Sequence, residues 1–281
     1  MSRVSLIQMV SSAKIAQNLQ LIETLLIQAR EEQAQLVVLP ENYAFMGMHE
    51  TDKLQIAEVY GQGPVQDKVS ELAKRLGLWI IAGTFPIKGA GSKTRASCIV
   101  YDDKGKSVAR YDKIHLFDVR VSAEEAHQES AAIERGTEVI VVDTPVGKVG
   151  LSVCYDLRFP ELYHQLEMKG AQIFTVPSAF TQVTGLAHWE ILLRARAIEN
   201  QCYVLAPNQG GRHENGRETY GNSMIVEPWG GIVTKMESGP GLITADIDLA
   251  RLHLLRQQFP CVDHHVLGAD GNANKHTLSR G

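Results

Sequence analysis

The sequence lacks the features of a disulfide-stabilised, zinc-binding or membrane-spanning protein. Its four cysteines, Cys98, Cys154, Cys202 and Cys261, are irregularly spaced and form no CxxC pair, so neither a disulfide framework nor a cysteine-type zinc site is indicated. The ten histidines show no HxH or HExxH pattern, and we therefore expect no metal and no cofactor. No apolar run approaches the roughly 20 residues that cross a bilayer.

A surplus of basic residues is also missing. The 281 residues include 28 Lys and Arg against 32 Asp and Glu, which gives a net charge of −4, and the basic residues are scattered. Nucleic acids and anionic membranes bind clustered positive charge, so we expect neither as a partner. The short apolar run at residues 4–10 lacks a small-residue cleavage site and predicts a first strand, not a signal peptide. Together with reduced cysteines, this favours the cytoplasm.

Strand and helix patterns alternate along the chain. Leu19, Ile22, Leu26 and Ala29 recur at helical spacing, whereas residues 36–39 form a continuous apolar run typical of a strand buried on both faces. Residues 96–101 and 107–111 predict a hairpin. Because strands outnumber those of a simple doubly wound sheet, the sequence predicts a single-domain α/β sandwich of two sheets with helices outside. We expect a domain over residues 1–262 and a polar tail over 263–281.

Cys154 is the first candidate for chemistry. An apolar strand ends at this residue, and Pro160 suits the first turn of a following helix. A tight strand-to-helix turn exposes a sulfur at the sheet edge, where backbone N–H groups lower the thiol pKa and bind an oxyanion. A buried structural thiol is the alternative, because free cysteine is among the most buried residue types. This segment alone does not decide between the two.

Two charged residues are further candidates. Glu41 follows the strand at residues 36–39, and α/β proteins bind ligands at the carboxyl ends of strands. Lys113 lies in a mostly aromatic and apolar stretch at residues 111–118, where partial burial would give its charge an electrostatic role. An exposed loop glutamate and a lysine at a surface hairpin end are the alternatives. Local physics does not show that these residues converge on Cys154.

The order of three motifs links these residues. Residues 39–41, 111–118 and 150–161, taken together, resemble the Glu-Lys-Cys motifs of the nitrilase, or carbon–nitrogen hydrolase, superfamily. Residues 177–180, 188–200 and 220–230 agree with it, so the resemblance runs from the first strand to about residue 260. It implies a four-layer α-β-β-α sandwich and an enzyme that cleaves a carbon–nitrogen bond through a thioester.

The resemblance also implies a role for each motif residue. Cys154 attacks the carbonyl carbon, Lys113 stabilises the developing charge and Glu41 moves protons. The backbone N–H of Tyr155 would share the oxyanion with Lys113. The family carries a second acid between the lysine and the cysteine, and Glu129 would here orient Lys113 and the substrate. Since a thiolate forms at neutral pH only beside a cation or base, we expect a depressed pKa for Cys154.

Within the superfamily, the chain most resembles the amidases that act on deaminated glutathione, and next the omega-amidases. Ser178, where omega-amidases tend to have glycine, and the loop at residues 210–220 carry this likeness. The implied substrate is a small anionic 2-oxo acid with a side-chain amide, and arginine binds carboxylates in a bidentate manner. Arg158, Arg212 and Arg217 are therefore candidate substrate-binding residues, with a structural ion pair as the alternative for Arg158.

Two further alternatives concern activity and assembly. An omega-amidase, another amidase or a true nitrilase would use the same triad, whereas a non-catalytic protein of this fold would have lost part of it. The family's sandwich typically packs against a second copy, so we expect a homodimer or a larger homo-oligomer. Leu162 and Leu166, on the helix after Cys154, would otherwise form an exposed apolar patch and are expected at the seam.

Overall fold

The computed structural model describes residues 1–121 and 126–266, so the predicted tail from residue 267 onward lies outside the described residues. Its strands are β1 (Ser2–Gln8), β2 (Leu36–Leu39), β3 (Trp79–Ala82), β4 (Phe85–Lys88), β5 (Thr94–Tyr101), β6 (Ser107–Asp112), β7 (Asp118–Arg120), β8 (Ala126–Gln128), β9 (Val141–Thr144), β10 (Gly147–Leu151), β11 (Ile173–Thr175), β12 (Tyr203–Ala206), β13 (Gly210–Arg212), β14 (Glu218–Tyr220), β15 (Met224–Val226), β16 (Ile232–Lys235) and β17 (Gly241–Ile247). Its helices are α1 (Ile15–Glu31), α2 (Lys53–Ile56), α3 (Pro64–Leu76), α4 (Pro160–Met168), α5 (Gln182–Asn200) and α6 (Leu249–Gln258). Short 3-10 turns span Glu50–Asp52, Glu129–Ala131 and Cys154–Arg158.

Most of these strands belong to two sheets. The first has the order β17-β1-β2-β3-β5-β4, with β6 paired to β5, and its strands β1, β2 and β3 run parallel. The second has the order β16-β15-β12-β11-β10-β9, with β10, β11 and β12 parallel. In each sheet the parallel strands therefore end at a common edge, which is where loops of α/β proteins gather ligand-binding residues. β7–β8 and β13–β14 form separate two-stranded ribbons.

The two sheets share one hydrophobic core, and helices cover their outer faces. Successive side chains of a strand point to opposite faces. In β2, Leu36 and Val38 belong to the same buried cluster as Leu151 of the second sheet, while Val37 and Leu39 belong to the cluster that includes buried residues of α1 and α3. On the second sheet, α4 contacts β10 and α5 contacts β12. The layers follow the order α-β-β-α, which confirms the predicted sandwich.

Elements with a long or strongly periodic pattern form where the sequence predicts them. α1 begins at Ile15, residues 36–39 are β2, and β5 and β6 pair antiparallel as the predicted hairpin. β4 and the two ribbons were not predicted, because strands of three or four residues are too short for alternation to stand out. Among the described residues, no helix combines the length and the apolar character that a bilayer span requires.

The helix after Cys154 does not present the apolar patch that was predicted for a dimer seam. Leu162 and Leu166 of α4 are only 4% and 0% exposed, because they pack into the core on the second sheet. Exposed apolar side chains lie on α5, where Val183, Leu186 and Ile191 are more than half exposed. The expectation that these two leucines form an exposed patch is wrong, and the homo-oligomer itself stays a prediction.

Candidate active site

The catalytic candidates meet in one buried pocket. Glu41 lies two residues beyond β2, Lys113 directly follows β6, and Cys154 lies three residues beyond β10. These residues and Glu129 line the same pocket and are all buried. The structure thus brings together residues from both sheets that local sequence physics could not connect. The alternatives of an exposed loop glutamate and a surface lysine are wrong.

The turn that carries Glu41 depends on a close approach between two strand ends. Gly83, which follows β3, has a φ of 34°, and a Cβ there would lie 1.9 Å from the carbonyl oxygen of Pro40. Only glycine allows this approach. Next to the carboxylate, Asn42 has a φ of 58°, and the side-chain amide of Gln209 donates to the carbonyl oxygen of Glu41 at 2.9 Å. Neighbouring backbone and side chains therefore fix the position of Glu41.

Cys154 has a left-handed backbone conformation with a φ of 48°. Non-glycine residues seldom adopt positive φ, and such strain persists only where the surrounding structure holds it. The N–H of Cys154 donates to the carbonyl oxygen of Pro177 at 3.0 Å, and the 3-10 turn Cys154–Arg158 starts at this residue. The first N–H groups of a helical turn have no partner within it. The N–H of Tyr155 is therefore in a position to serve as the predicted oxyanion donor.

Asp156, which sequence reasoning missed, ties this turn to the segment of Lys113. Its buried carboxylate accepts hydrogen bonds from the N–H of Val153 at 2.8 Å, the hydroxyl of Tyr111 at 2.6 Å and the N–H of His115 at 3.0 Å. Tyr111 and His115 stand two residues before and after Lys113. One carboxylate therefore sets the distance between the lysine and the cysteine turn. An acidic residue at the third position of a turn is the signal that could have found it.

Lys113 is the centre of a buried ionic cluster. Its Nζ lies 2.8 Å from Oε1 of Glu41, and 2.8 and 3.0 Å from Oε2 and Oε1 of Glu129. The N–H of Phe117 donates to Oε2 of Glu129 at 2.7 Å. Charged groups remain buried when they are paired and hydrogen-bonded. Glu129 therefore contacts Lys113, the residue that the family resemblance implies it orients.

The surroundings set the protonation states of the site. Burial alone would raise the pKa of Glu41, but the charge and hydrogen bond of Lys113, with a hydrogen bond from Cys154, hold that pKa below its ordinary value. Burial and then the charge of Glu41 raise the pKa of the Cys154 thiol, and Lys113 opposes this only in part. The prediction of a depressed thiol pKa is wrong. The resting site holds a neutral thiol hydrogen-bonded to a carboxylate.

Two of the three candidate arginines line the pocket. The guanidinium of Arg158 lies over the rings of Phe180 and Tyr155, at 5.4 and 5.8 Å from their centroids. Arg217, from the turn between β13 and β14, donates from Nη2 to the carbonyl oxygen of Ala179. The loop at residues 210–220 therefore reaches the pocket through one of its two arginines.

Arg212 and Ser178 do not line the pocket, and both predictions are wrong. Arg212 is exposed at the end of β13, opposite Glu218 of β14. Ser178 is fully buried, and its hydroxyl donates to the carbonyl oxygen of Val176 at 2.9 Å. The structure places Arg212 in the ladder of β13 with β14 and Arg217 in the turn between the two strands, and composition carries no information about that arrangement.

Three ionisable residues of the pocket were not predicted. Glu50, Lys53 and His127 line it together with the catalytic candidates. Lys53 Nζ lies 2.8 Å from Oε2 of Glu50, and both residues belong to the segment between β2 and α3. No sequence pattern distinguishes them from surface charges. Within residues 1–121 and 126–266, no three His, Cys, Asp or Glu side chains are grouped as ligands for a metal ion.

Comparison with known proteins agrees with this geometry. The family profile described as "Carbon-nitrogen hydrolase" matches residues 3–257, nearly the whole chain. The chain belongs to the carbon–nitrogen hydrolase family. This confirms the nitrilase-superfamily resemblance and makes the protein a hydrolase of carbon–nitrogen bonds.

Relatives of this carbon–nitrogen hydrolase agree in sequence and in fold. The "Deaminated glutathione amidase" of Synechocystis sp. (strain PCC 6803 / GT-S) is 43% identical over 264 residues, which are 92% of this chain and 96% of that protein. The structure of Saccharomyces cerevisiae Nit3, a member of branch 10 of the nitrilase superfamily, superposes with a TM-score of 0.84 at 32% identity and covers 92% of this chain and 94% of its own. The Caenorhabditis elegans NitFhit protein has a TM-score of 0.88 at 38% identity over 94% of this chain, which spans 65% of the NitFhit chain. The enzyme is thus an amidase-type member of its family.

Proposed function

We propose that the enzyme hydrolyses the side-chain amide of a small anionic 2-oxo acid, deaminated glutathione, through a thioester on Cys154. The observation that supports this proposal is the contact of Cys154 with Glu41 and of Glu41 with Lys113, in a pocket that also carries Arg158 and Arg217. A nucleophile, a base and a cation are thereby joined to arginines suited to carboxylates. The name of the cyanobacterial relative agrees with this substrate.

Acylation begins with a neutral thiol. The sulfur of Cys154 attacks the amide carbon while Glu41 takes the thiol proton, so a thiolate need not exist in the resting enzyme. The carbonyl oxygen becomes an oxyanion, which Lys113 and the N–H of Tyr155 stabilise. Such preorganised donors are typically worth about 3–4 kcal/mol each. Glu41 then gives its proton to the nitrogen, the carbon–nitrogen bond breaks and the amine leaves.

Deacylation uses the same groups in reverse. A water molecule attacks the thioester carbon while Glu41 takes a proton from it, and the carbon–sulfur bond breaks as the sulfur of Cys154 regains a proton. The lowered pKa of Glu41 keeps this carboxylate ionised and able to accept a proton in both half-reactions. Glu129 orients the ammonium of Lys113 through both of its carboxylate oxygens. One 2-oxo dicarboxylate and one amine are released for each water consumed.

Turnover of a small substrate panel tests the substrate. Amine or ammonia release is measured with deaminated glutathione, 2-oxoglutaramate and glutamine, with Cys154→Ala as the control. We expect the largest kcat/KM for deaminated glutathione and a trapped acyl adduct on Cys154 by mass spectrometry. A larger kcat/KM for 2-oxoglutaramate would make the enzyme an omega-amidase, and no turnover of either 2-oxo acid would refute the proposal.

Assembly and compartment complete the proposal. We propose a homodimer or larger homo-oligomer that covers the apolar side chains of α5, such as Leu186 at 75% exposure. Light scattering at micromolar concentration should give at least twice the mass of one chain, and Leu186→Glu should shift it toward one chain. The proposed compartment is the cytoplasm, on the basis of cysteines that are all free.

A further inference from the structure

Two depressions meet beside the nucleophile and share a set of side chains. The inner depression is the pocket of Cys154, and the outer one lies between the loop after β2 and the turn between β13 and β14. Residues that line both are Glu50, Lys53, His127 and Arg217. We call these four residues the neck. The outer depression includes the exposed side chain of Met48, so the neck lies on a route from the nucleophile to solvent.

A single residue, Ala179, links the neck to the nucleophile. The N–H of Ala179 hydrogen-bonds to the sulfur of Cys154, and the carbonyl oxygen of Ala179 accepts a hydrogen bond from Arg217. The charge of Arg217 also contributes to the lowered pKa of Glu41. A substituent on the reacting amide therefore comes within reach of this guanidinium.

The two cations of the neck, Lys53 and Arg217, retain N–H groups that can donate hydrogen bonds to a ligand. Lys53 contacts Glu50 at 2.8 Å with 11% of its side chain exposed, and this contact uses one of the three N–H groups of an ammonium. Arg217 Nε is buried without a hydrogen-bond partner among residues 1–121 and 126–266, a costly state that a bound acceptor would relieve. The charge of Lys53 lowers the pKa of Glu50 to about 2. Two cations against one carboxylate leave the neck positive.

We propose that Lys53 and Arg217 bind the carboxylate of the leaving amine, so that the neck selects amides whose nitrogen belongs to an amino acid or a short peptide. This inference rests on the proposed function, in which the leaving amine of deaminated glutathione is a dipeptide that ends in a carboxylate. Two residues of extended chain reach about 7 Å, which carries that carboxylate away from the scissile nitrogen and into the neck. Arg158 is then left to bind the carboxylate of the acyl half.

A matched pair of substrates tests the neck. Deaminated glutathione and its C-terminal carboxamide share the acyl group and differ only in the terminal charge. We expect the wild-type enzyme to prefer the acid by roughly ten- to a hundredfold in kcat/KM, as for one charge-assisted contact, and Lys53→Met to reduce this ratio severalfold, because Arg217 remains. Lys104→Met, at an exposed lysine of the β5–β6 turn, is the control and should keep the wild-type ratio. Arg158→Gln should lower kcat/KM for both substrates and keep the ratio.

The remaining outcomes separate this inference from the proposed function. Because Lys53 pairs with Glu50, the double variant Glu50→Gln/Lys53→Met keeps a neutral pair and should show the same reduced ratio if the single variant does not fold. A wild-type ratio near one, or a ratio that survives both variants, overturns the inference. If the wild-type enzyme turns over neither compound, the proposed function fails. Calorimetry then measures how tightly Cys154→Ala binds the acid and the carboxamide, which tests the neck separately. Tighter binding of the acid that depends on Lys53 then supports the inference, whereas equal binding or none overturns it.

Discussion

Replacing Lys113 by methionine removes the cation that contacts two buried carboxylates. Methionine is close to lysine in shape, so the change leaves Glu41 and Glu129 in place without their shared counter-charge. Breaking a buried ion pair by removing one partner costs about 3–5 kcal/mol, and for a chain of this size we expect the Tm to fall by roughly 10 °C. A lysine that acted only on the transition state would leave stability almost unchanged. With Lys113 2% exposed, the structure predicts loss of both activity and stability.

The pH dependence of this loss distinguishes charge from packing. In the wild-type protein the folded-state pKa of Glu41 is lowered, so its contribution to stability is present above the unfolded value and is lost as the pH falls through the folded one. Without Lys113, burial raises the pKa of Glu41 instead. As the pH falls, the carboxylate binds a proton, and the cost of burying an unpaired charge in the variant disappears. The difference in unfolding free energy between the two proteins should therefore be larger at about pH 8 than at about pH 5.

Urea unfolding at the two pH values measures this difference, and Lys104→Met, an exposed substitution, is the control. Turnover of the Lys113→Met variant should fall by about a hundredfold or more, because a preorganised oxyanion donor is lost. An unchanged Tm would refute the buried-cluster argument. A loss of stability that is equal at both pH values would show that packing of the aliphatic stem, not charge, is responsible.

Other expected outcomes follow from the same geometry. Cys154→Ala should abolish turnover and leave the fold intact, and Cys154→Ser should be nearly inactive; comparable residual activity would refute the thioester. Glu41→Gln should lower kcat by about a hundredfold or more and remove the acid limb of the pH profile, which in the wild-type enzyme should lie below the ordinary glutamate range. Because the pKa of Cys154 is raised, wild type and Cys154→Ala should show the same ultraviolet thiolate absorbance at neutral pH. A higher absorbance of the wild type would show that Cys154 is a thiolate in the resting enzyme. Asp156→Asn should cost about 1–3 kcal/mol in unfolding free energy and lower kcat more than it changes KM; an effect on stability alone would make Asp156 merely structural.

Local sequence patterns were sufficient for the framework. The apolar run of β2, the helical spacing in α1 and the hairpin of β5 and β6 depend on neighbours in the chain, so they could be predicted from it. The same holds for the positions of Glu41, Lys113 and Cys154 at strand ends. Only their resemblance to a known family predicted that they converge, since no local rule joins residues from two different sheets.

The tertiary structure decided the rest of the site. Of the two arginines in the β13–β14 loop, Arg217 of the turn lines the pocket and Arg212 of the strand ladder does not. The neck residues Glu50 and Lys53 carry no sequence signal, and their place beside the pocket depends on how the loop after β2 packs.

The protonation of Cys154 was likewise outside the reach of the sequence. A strand-to-helix turn predicts a depressed thiol pKa, yet burial and the adjacent charge of Glu41 raise it. The sequence by itself determined the main secondary structure and the set of candidate residues, because secondary structure follows from interactions along a short stretch of chain. Ionisation depends on burial and on charges that approach through space from distant parts of the chain, so only the folded structure determines the state in which this site begins its reaction.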